Sequence, residues 1–167
     1  MCSSVLHGCP CGFLGDPARD CSCSPRAVSS YQRRLSGPLL DRIDLFVDVP
    51  RVPYDKLAGQ ARGEGSAAVR ARVRQARDVQ HERFAGTHGR IVLNADMTPP
   101  LVREFAQDQL GSGAADILRM AVDRLNLSAR SFHRVLKVAR TIADLGGSGP
   151  IETVHLAEAI QYRQRLE

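Results

Sequence analysis

The sequence predicts a mainly α-helical protein with a small α/β remnant toward its N-terminus. Apolar residues recur at helical spacing through most of the chain beyond residue 65, whereas a single segment, Leu45-Phe46-Val47-Asp48-Val49, is β-rich. Cysteine, glycine and proline crowd the region before that segment. Residues 1–50 therefore read as a region of short elements with a four-cysteine loop, 51–65 as a linker, and 66–167 as a helical bundle.

In the first region, Ser24 followed by Pro25 has the form of an N-cap with proline at the first helical position, and Val28, Tyr31 and Leu35 follow at helical spacing. Gly37-Pro38 should end that helix. The β-rich segment stops at Pro50, and a lone strand has nothing to pair with, so exposed apolar surface is expected in the first 50 residues. In the second region a helix is expected from Ser66 to Phe84, with Val69, Val73 and Ala76 on one face and most of its arginines on the other. Gly86 to Gly89 should break it. Thr98-Pro99-Pro100 starts a second helix, and Gly111 to Gly113 separates it from a third that runs to Leu125. Ser128 caps a fourth helix. There Phe132, Val135, Leu136, Ala139, Ile142 and Ala143 form an apolar stripe, with Arg130, Arg134, Lys137 and Thr141 on another side. A last helix from Thr153 is expected to turn Val154, Leu156, Ala157, Ile160 and Tyr162 toward a core.

No apolar run approaches the roughly 18 to 20 residues of a membrane span, and no secretory signal is recognisable, so a cytoplasmic protein with no membrane partner is expected. Of 23 basic residues all but Lys56 and Lys137 are arginine, and the net charge is +5. The charge suits a nucleic-acid or nucleotide partner, but it is spread along the chain, as ordinary surface solvation would also have it.

Cys9, Cys11, Cys21 and Cys23 form two Cys-x-Cys pairs nine residues apart, with Cys2 outside the pattern. Four thiolates there would suit a tetrahedral Zn²⁺, which would order a loop too small for its own core. Reduced structural thiols are the equal alternative, and disulfides a third. Neighbouring side chains in Cys-x-Cys diverge on an extended backbone, so a zinc site requires a turn. His7, His81, His88, His133 and His155 show no hydrolase or metal spacing.

Read together, Cys9-Pro10-Cys11-Gly12, Cys21-Ser22-Cys23-Ser24-Pro25, Leu35-Ser36-Gly37-Pro38-Leu39-Leu40-Asp41-Arg42-Ile43-Asp44 and Leu127-Ser128-Ala129-Arg130 through Ala139-Arg140-Thr141-Ile142-Ala143-Asp144-Leu145 resemble the C-terminal half of magnesium-chelatase-like AAA+ ATPases of the ComM/YifB type. The resemblance implies the end of a P-loop core followed by a helical lid. For an intact member it implies ATP and Mg²⁺ as cofactors, a homo-oligomeric ring, and DNA remodelling or branch migration in recombination and natural transformation.

The resemblance makes Arg42 an arginine finger, because a planar, permanently charged fork suits the γ-phosphate oxygens as charge develops on them. A local ion pair with Asp41 or Asp44 is the alternative. Arg130, in the first turn after Ser128, becomes the sensor-2 arginine, where backbone N–H groups also favour an anion; an exposed, solvated arginine is its alternative. Arg134 and Lys137 continue the same side. No Gly-x-x-x-x-Gly-Lys-Ser/Thr loop and no acidic pair for magnesium occur in the sequence, so no autonomous ATP hydrolysis is expected. The family's Asn-Pro before the first Cys-Pro-Cys-Gly is replaced by His7-Gly8, and residues 1 to 8 read as the artificial start of a truncated frame. A competing reading is a small, non-enzymatic, zinc-stabilised nucleic-acid-binding protein.

Overall fold

A computed structural model describes residues 7–34, 40–52, 54–59, 63–87 and 91–163. The chain is mainly helical, as the apolar spacing predicts. Its helices are α1 (Pro25–Gln32), α2 (Tyr54–Ala58), α3 (Ser66–Phe84), α4 (Pro99–Val102), α5 (Ala114–Leu125), α6 (Ala129–Leu145) and α7 (Thr153–Gln161). They fall into two compact units. The first draws on the described residues of 7–43 and 47–59, the second on 44–46 and 63–163.

In the first unit Ser24 caps α1, its hydroxyl accepting from the Ala27 N–H at 3.3 Å, with Pro25 at the first helical position. Val28 and Tyr31 are half-buried, while Leu35 and the expected Gly37-Pro38 stop lie outside the described residues. The β-rich stretch is corrected by the structure: among the described residues 45–50 form no strand, and no ladder partner is present to make one. Val47, Val49, Val52 and Leu57 are exposed.

In the second unit the core is built around α6. Val135, Leu136, Ala139 and Ala143 are fully buried, joined by Val102, Ala106, Ala114, Ile151 and Leu156 from the surrounding elements. Phe84 at the end of α3 meets Phe105 edge-on, ring centroids 5.6 Å apart. Thr98-Pro99-Pro100 starts α4 as expected, but α4 widens into a π-helical turn over Arg103–Gln107, where the Asp108 N–H reaches the Arg103 carbonyl. Gly113 (φ +76°) precedes α5, and Asn126 (φ 45°) ends it in the left-handed conformation that asparagine tolerates better than most residues. A parallel β-bridge between Leu110 and Ile151 stitches the loop before α5 to the start of α7, through Gly111 N–H to Ile151 O and Ile151 N–H to Gln109 O.

Two face assignments need correcting. Val154 is 67% exposed, and Leu156 and Ala159 are the α7 residues that fill the core. On α3, Ala76 is buried as expected, but Val69 and Val73 remain over a third exposed; the inward positions farther along are Gln80 and Phe84.

Gln80 faces inward because the interior there is polar. Asp144 of α6 accepts from Arg140 Nε at 3.0 Å, from both terminal nitrogens of Arg83 at 2.5 and 2.8 Å, and from Asn94 Nδ2 at 2.7 Å. Arg140, 2% exposed, also donates to the carbonyls of Ser148 and Gly149, holding the turn that ends α6. Burial pushes the pKa of its guanidinium down, and Asp144 opposes that shift. Gln80 Oε1 accepts from the Asn94 N–H at 3.0 Å. No buried side-chain polar atom among the described residues lacks a partner.

Removing the carboxylate would leave two guanidiniums and an amide without the charged acceptor they share. Asp144→Ala is therefore expected to lower the urea-unfolding free energy by about 3 to 5 kcal/mol. Val154→Ala, on the exposed side of α7, should change it by less than about 0.5 kcal/mol. Equal losses in the two variants would show that the network does not hold the bundle.

Candidate functional site

Two constellations carry chemistry, one in each unit. The first is the cysteine loop. Cys9-Pro10-Cys11-Gly12 closes a turn with the Gly12 N–H on the Cys9 carbonyl at 3.1 Å, and Gly12 takes φ +81°, a left-handed value that favours glycine. This supplies the turn the Cys-x-Cys spacing requires. The loop is braced by Gln32 of α1, whose side chain donates to the Gly8 carbonyl, and by Arg19 stacked 4.1 Å over the Phe13 ring. Cys23 directly precedes the Ser24 cap, so α1 fixes the second pair.

All four sulfurs lie within 4.8 Å of one another, with Cys9 to Cys11, Cys11 to Cys21 and Cys21 to Cys9 at 3.3, 3.5 and 3.6 Å. Tetrahedral zinc at about 2.3 Å from each thiolate requires neighbouring sulfurs about 3.8 Å apart, and this donor set is compatible with the ion. Cys9 is buried and the other three are half-buried. The Phe13 backbone N–H is the largest influence lowering Cys11 to about 6, with Cys9 and Cys23 helping. The Cys23 backbone N–H favours the Cys21 thiolate, yet burial and the surrounding sulfurs push that thiol up to about 12. Cys23 is raised likewise, burial and Cys11 outweighing the Cys11 backbone N–H. A divalent cation bound among the sulfurs would favour the thiolate forms.

The second constellation lies along α6. Ser128 caps this helix by accepting from the Ser131 N–H at 3.1 Å. Arg130, His133, Arg134 and Lys137 then follow at spacings that place them on one side, opposite the apolar stripe. With Met97, Pro99 and Val102 they line a cleft of about 210 Å³. Arg130 is exposed. Arg134 bonds the Asp44 carboxylate, and Lys137 Nζ donates to the Ala95 carbonyl at 2.8 Å. Burial, then the charge of Arg134, lowers the Lys137 pKa, while Asp44 and Asp96 act the other way. The concentration of positive charge at a helix N-terminus suits an oxyanion. His133, set aside by its spacing in the sequence, also lines this cleft.

The structure thus brings the four cysteines together, and gathers Arg130, Arg134 and Lys137 on one wall. Arg42 is exposed in the loop after Leu40 and belongs to the first unit, whereas its neighbour Asp44 belongs to the second, where Arg134 engages it.

Comparison with known proteins places the chain in a family. The family model described as magnesium chelatase, subunit ChlI C-terminal, matches residues 63–163, and the model for magnesium chelatase, subunit ChlI, matches residues 2–57. The chain belongs to this magnesium-chelatase-like family. Among its relatives, competence protein ComM of Haemophilus influenzae is 44% identical over 142 residues, which cover 84% of this chain and 26% of that protein. Protein YifB of Escherichia coli is 42% identical over the same shares, and uncharacterized protein Mb2921c of Mycobacterium bovis 38% identical over 96% of this chain and 30% of its own. The chain therefore spans between a quarter and a third of the length of these relatives. No helix among the described residues is long and apolar enough to cross a membrane.

The Ser128 cap sets the first turn that carries Arg130. Ser128→Ala should cost about 1 kcal/mol of stability, while Ser128→Asp, which keeps a capping oxygen, should recover most of it. Calorimetric melting of both variants checks this, and equal melting of the alanine variant and the parent chain would remove the cap from the account.

Proposed function

We propose that the chain supplies the arginine finger and the helical lid of an AAA+ ATPase that couples ATP hydrolysis, in a homo-oligomeric ring, to DNA remodelling of the branch-migration type in recombination and natural transformation. The observation that carries this reading is the position of Arg130 at a capped helix N-terminus in a cationic cleft, in a chain whose residues 2–57, Arg42 among them, match the magnesium chelatase family model. The name of the Haemophilus relative, a competence protein, supports the biological setting.

In this reading Arg130 binds the phosphates of ATP held by its own subunit, and Arg134 and Lys137 add positive charge behind it. Arg42 reaches the nucleotide of a neighbouring subunit as charge develops on the γ-phosphate. Mg²⁺ neutralises the phosphates when ATP is bound. No phosphate-loop motif and no acidic pair for magnesium occur in the sequence, and the lining of the cleft holds cations and apolar groups. Cys9, Cys11, Cys21 and Cys23 hold a structural Zn²⁺ that orders the loop ahead of α1, a role supported by the mutual reach of their sulfurs.

Three measurements test these assignments. The purified chain should show no ATP turnover above background; turnover that persists after removal of contaminating ATPases would refute the division of labour. In a full-length relative, changing the residue matching Arg42 to Ala should leave ATP binding in place and slow hydrolysis by roughly 10³-fold or more. Mixing that variant with subunits disabled in the phosphate loop should restore part of the activity, because some interfaces then pair an intact loop with an intact finger. Co-assembled mixed rings that recover nothing would turn Arg42 into a local ion-pair residue. For the metal, elemental analysis should find about one zinc per chain, and Cys11→Ser with Cys21→Ser should abolish it. Zinc-free protein with an unchanged fold around α1 would favour reduced thiols.

A further inference from the structure

We infer that α3 presents a binding ridge for the phosphate backbone of duplex DNA, formed by Arg70, Arg74 and Arg77. These residues stand at i, i+4 and i+7, so they share one side of the 19-residue helix and span about 10 Å of its axis; His81 extends the line by one more turn. All four are exposed. Ala76 and Gln80 turn inward from a different side of α3, and Phe84 anchors its C-terminal end, while the arginines stay exposed.

Among the described residues the three guanidiniums differ from the other arginines of α3 in having no anionic partner. Arg72 is held by a two-pronged bond to Glu64, at 2.8 and 3.0 Å, and Arg83 by Asp144. Among the described residues no carboxylate pairs with Arg70, Arg74 or Arg77, although Asp78 and Glu82 stand on the same helix. Like charges at these spacings destabilise a helix by a few tenths of a kcal/mol per pair, and a polyanion laid along the ridge converts that repulsion into attraction. Duplex DNA carries one negative charge per roughly 1.7 Å of axis, so the ridge faces several phosphates at once. Guanidiniums suit these groups through paired N–H donors.

The absence of a stacking platform selects duplex over single strand. Phe84 is the one Phe, Tyr or Trp of α3 and it is buried, which leaves the imidazole of His81 as a lone exposed ring, whereas binding to unpaired bases relies on several exposed aromatic faces in succession. The contact is therefore one that positions the backbone and reads no sequence. The identity of the partner rests on the DNA-remodelling reading above; the ridge itself rests on the geometry of α3.

The test is fluorescence anisotropy of a short labelled DNA duplex titrated with the 167-residue chain across a range of salt concentrations. The triple variant R70Q/R74Q/R77Q should weaken binding tenfold or more at low salt and reduce the slope of log affinity against log salt by about 3. R70K/R74K/R77K, which keeps the charge, should retain most of the affinity. R103Q/R119Q/R124Q removes the same charge from exposed positions elsewhere in the second unit and should stay within about twofold of the parent. Circular dichroism of each variant reads the helix directly. No duplex binding by the parent chain, equal losses in the two glutamine triples, or binding of a single strand as tight as that of the duplex would each overturn the inference. Failure here leaves the mixed-ring measurement untouched, and failure of the mixed ring leaves the anisotropy result standing.

Discussion

The second unit depends on one buried carboxylate. Asp144 sits on the face of α6 turned away from water and gathers Arg140 from its own helix, Arg83 from α3 and Asn94 from the connection between α3 and α4. Taking these charges out of water is expensive, and the arrangement stands only because every donor and acceptor in it is satisfied. The excess positive charge is eased at Arg83, whose side chain keeps 13% of its surface exposed while Asp144 keeps none. Apolar packing alone is permissive about rotation of one helix over another; a carboxylate shared among three partners is not. The network therefore fixes the azimuth of α3 relative to α6 within the unit.

That fixed azimuth gives α6 its division of labour. The helix turns its apolar stripe to the core, its last turns to the polar network, and the side bearing Arg130, Arg134 and Lys137 to the cleft. Arg163 donates to the hydroxyl of buried Ser131, tying the chain after α7 back to the first turn of α6. Both ends of the helix are thus held by polar contacts while its middle is held by packing. The helix is therefore a rigid support for the cationic face it carries.

Much of this was legible in the sequence. The caps at Ser24 and Ser128, the Pro99-Pro100 start of α4 and the α6 stripe follow from local rules, and local geometry upholds them. The strand at Leu45–Val49 was not a safe inference, because β-rich composition describes a surface that fits a sheet and cannot create the sheet. Val154 was misplaced because one apolar residue fits a helical stripe by chance, and Leu156 and Ala159 settle the true direction. The polar network was invisible for a different reason. Arg83 looks like the other arginines of α3, and Asn94 lies in a connection with no periodicity, so only the fold shows that both reach Asp144. Of the site residues, the cysteine spacing announced a common purpose, but the approach of the four sulfurs depends on the turn at Gly12 and the seating of α1.

The parallel bridge between Leu110 and Ile151 bears on how the bundle comes together. Its partners are separated by about 40 residues of chain, including the whole of α5 and α6. Closing a ring of that length costs on the order of 3 kcal/mol in chain entropy, and two backbone bonds are a small return unless the intervening helices have already docked. The bridge is accordingly a fastening made late. It contributes less to the speed of folding than to the slowness of unfolding, acting as a clasp on a bundle whose helices find one another first.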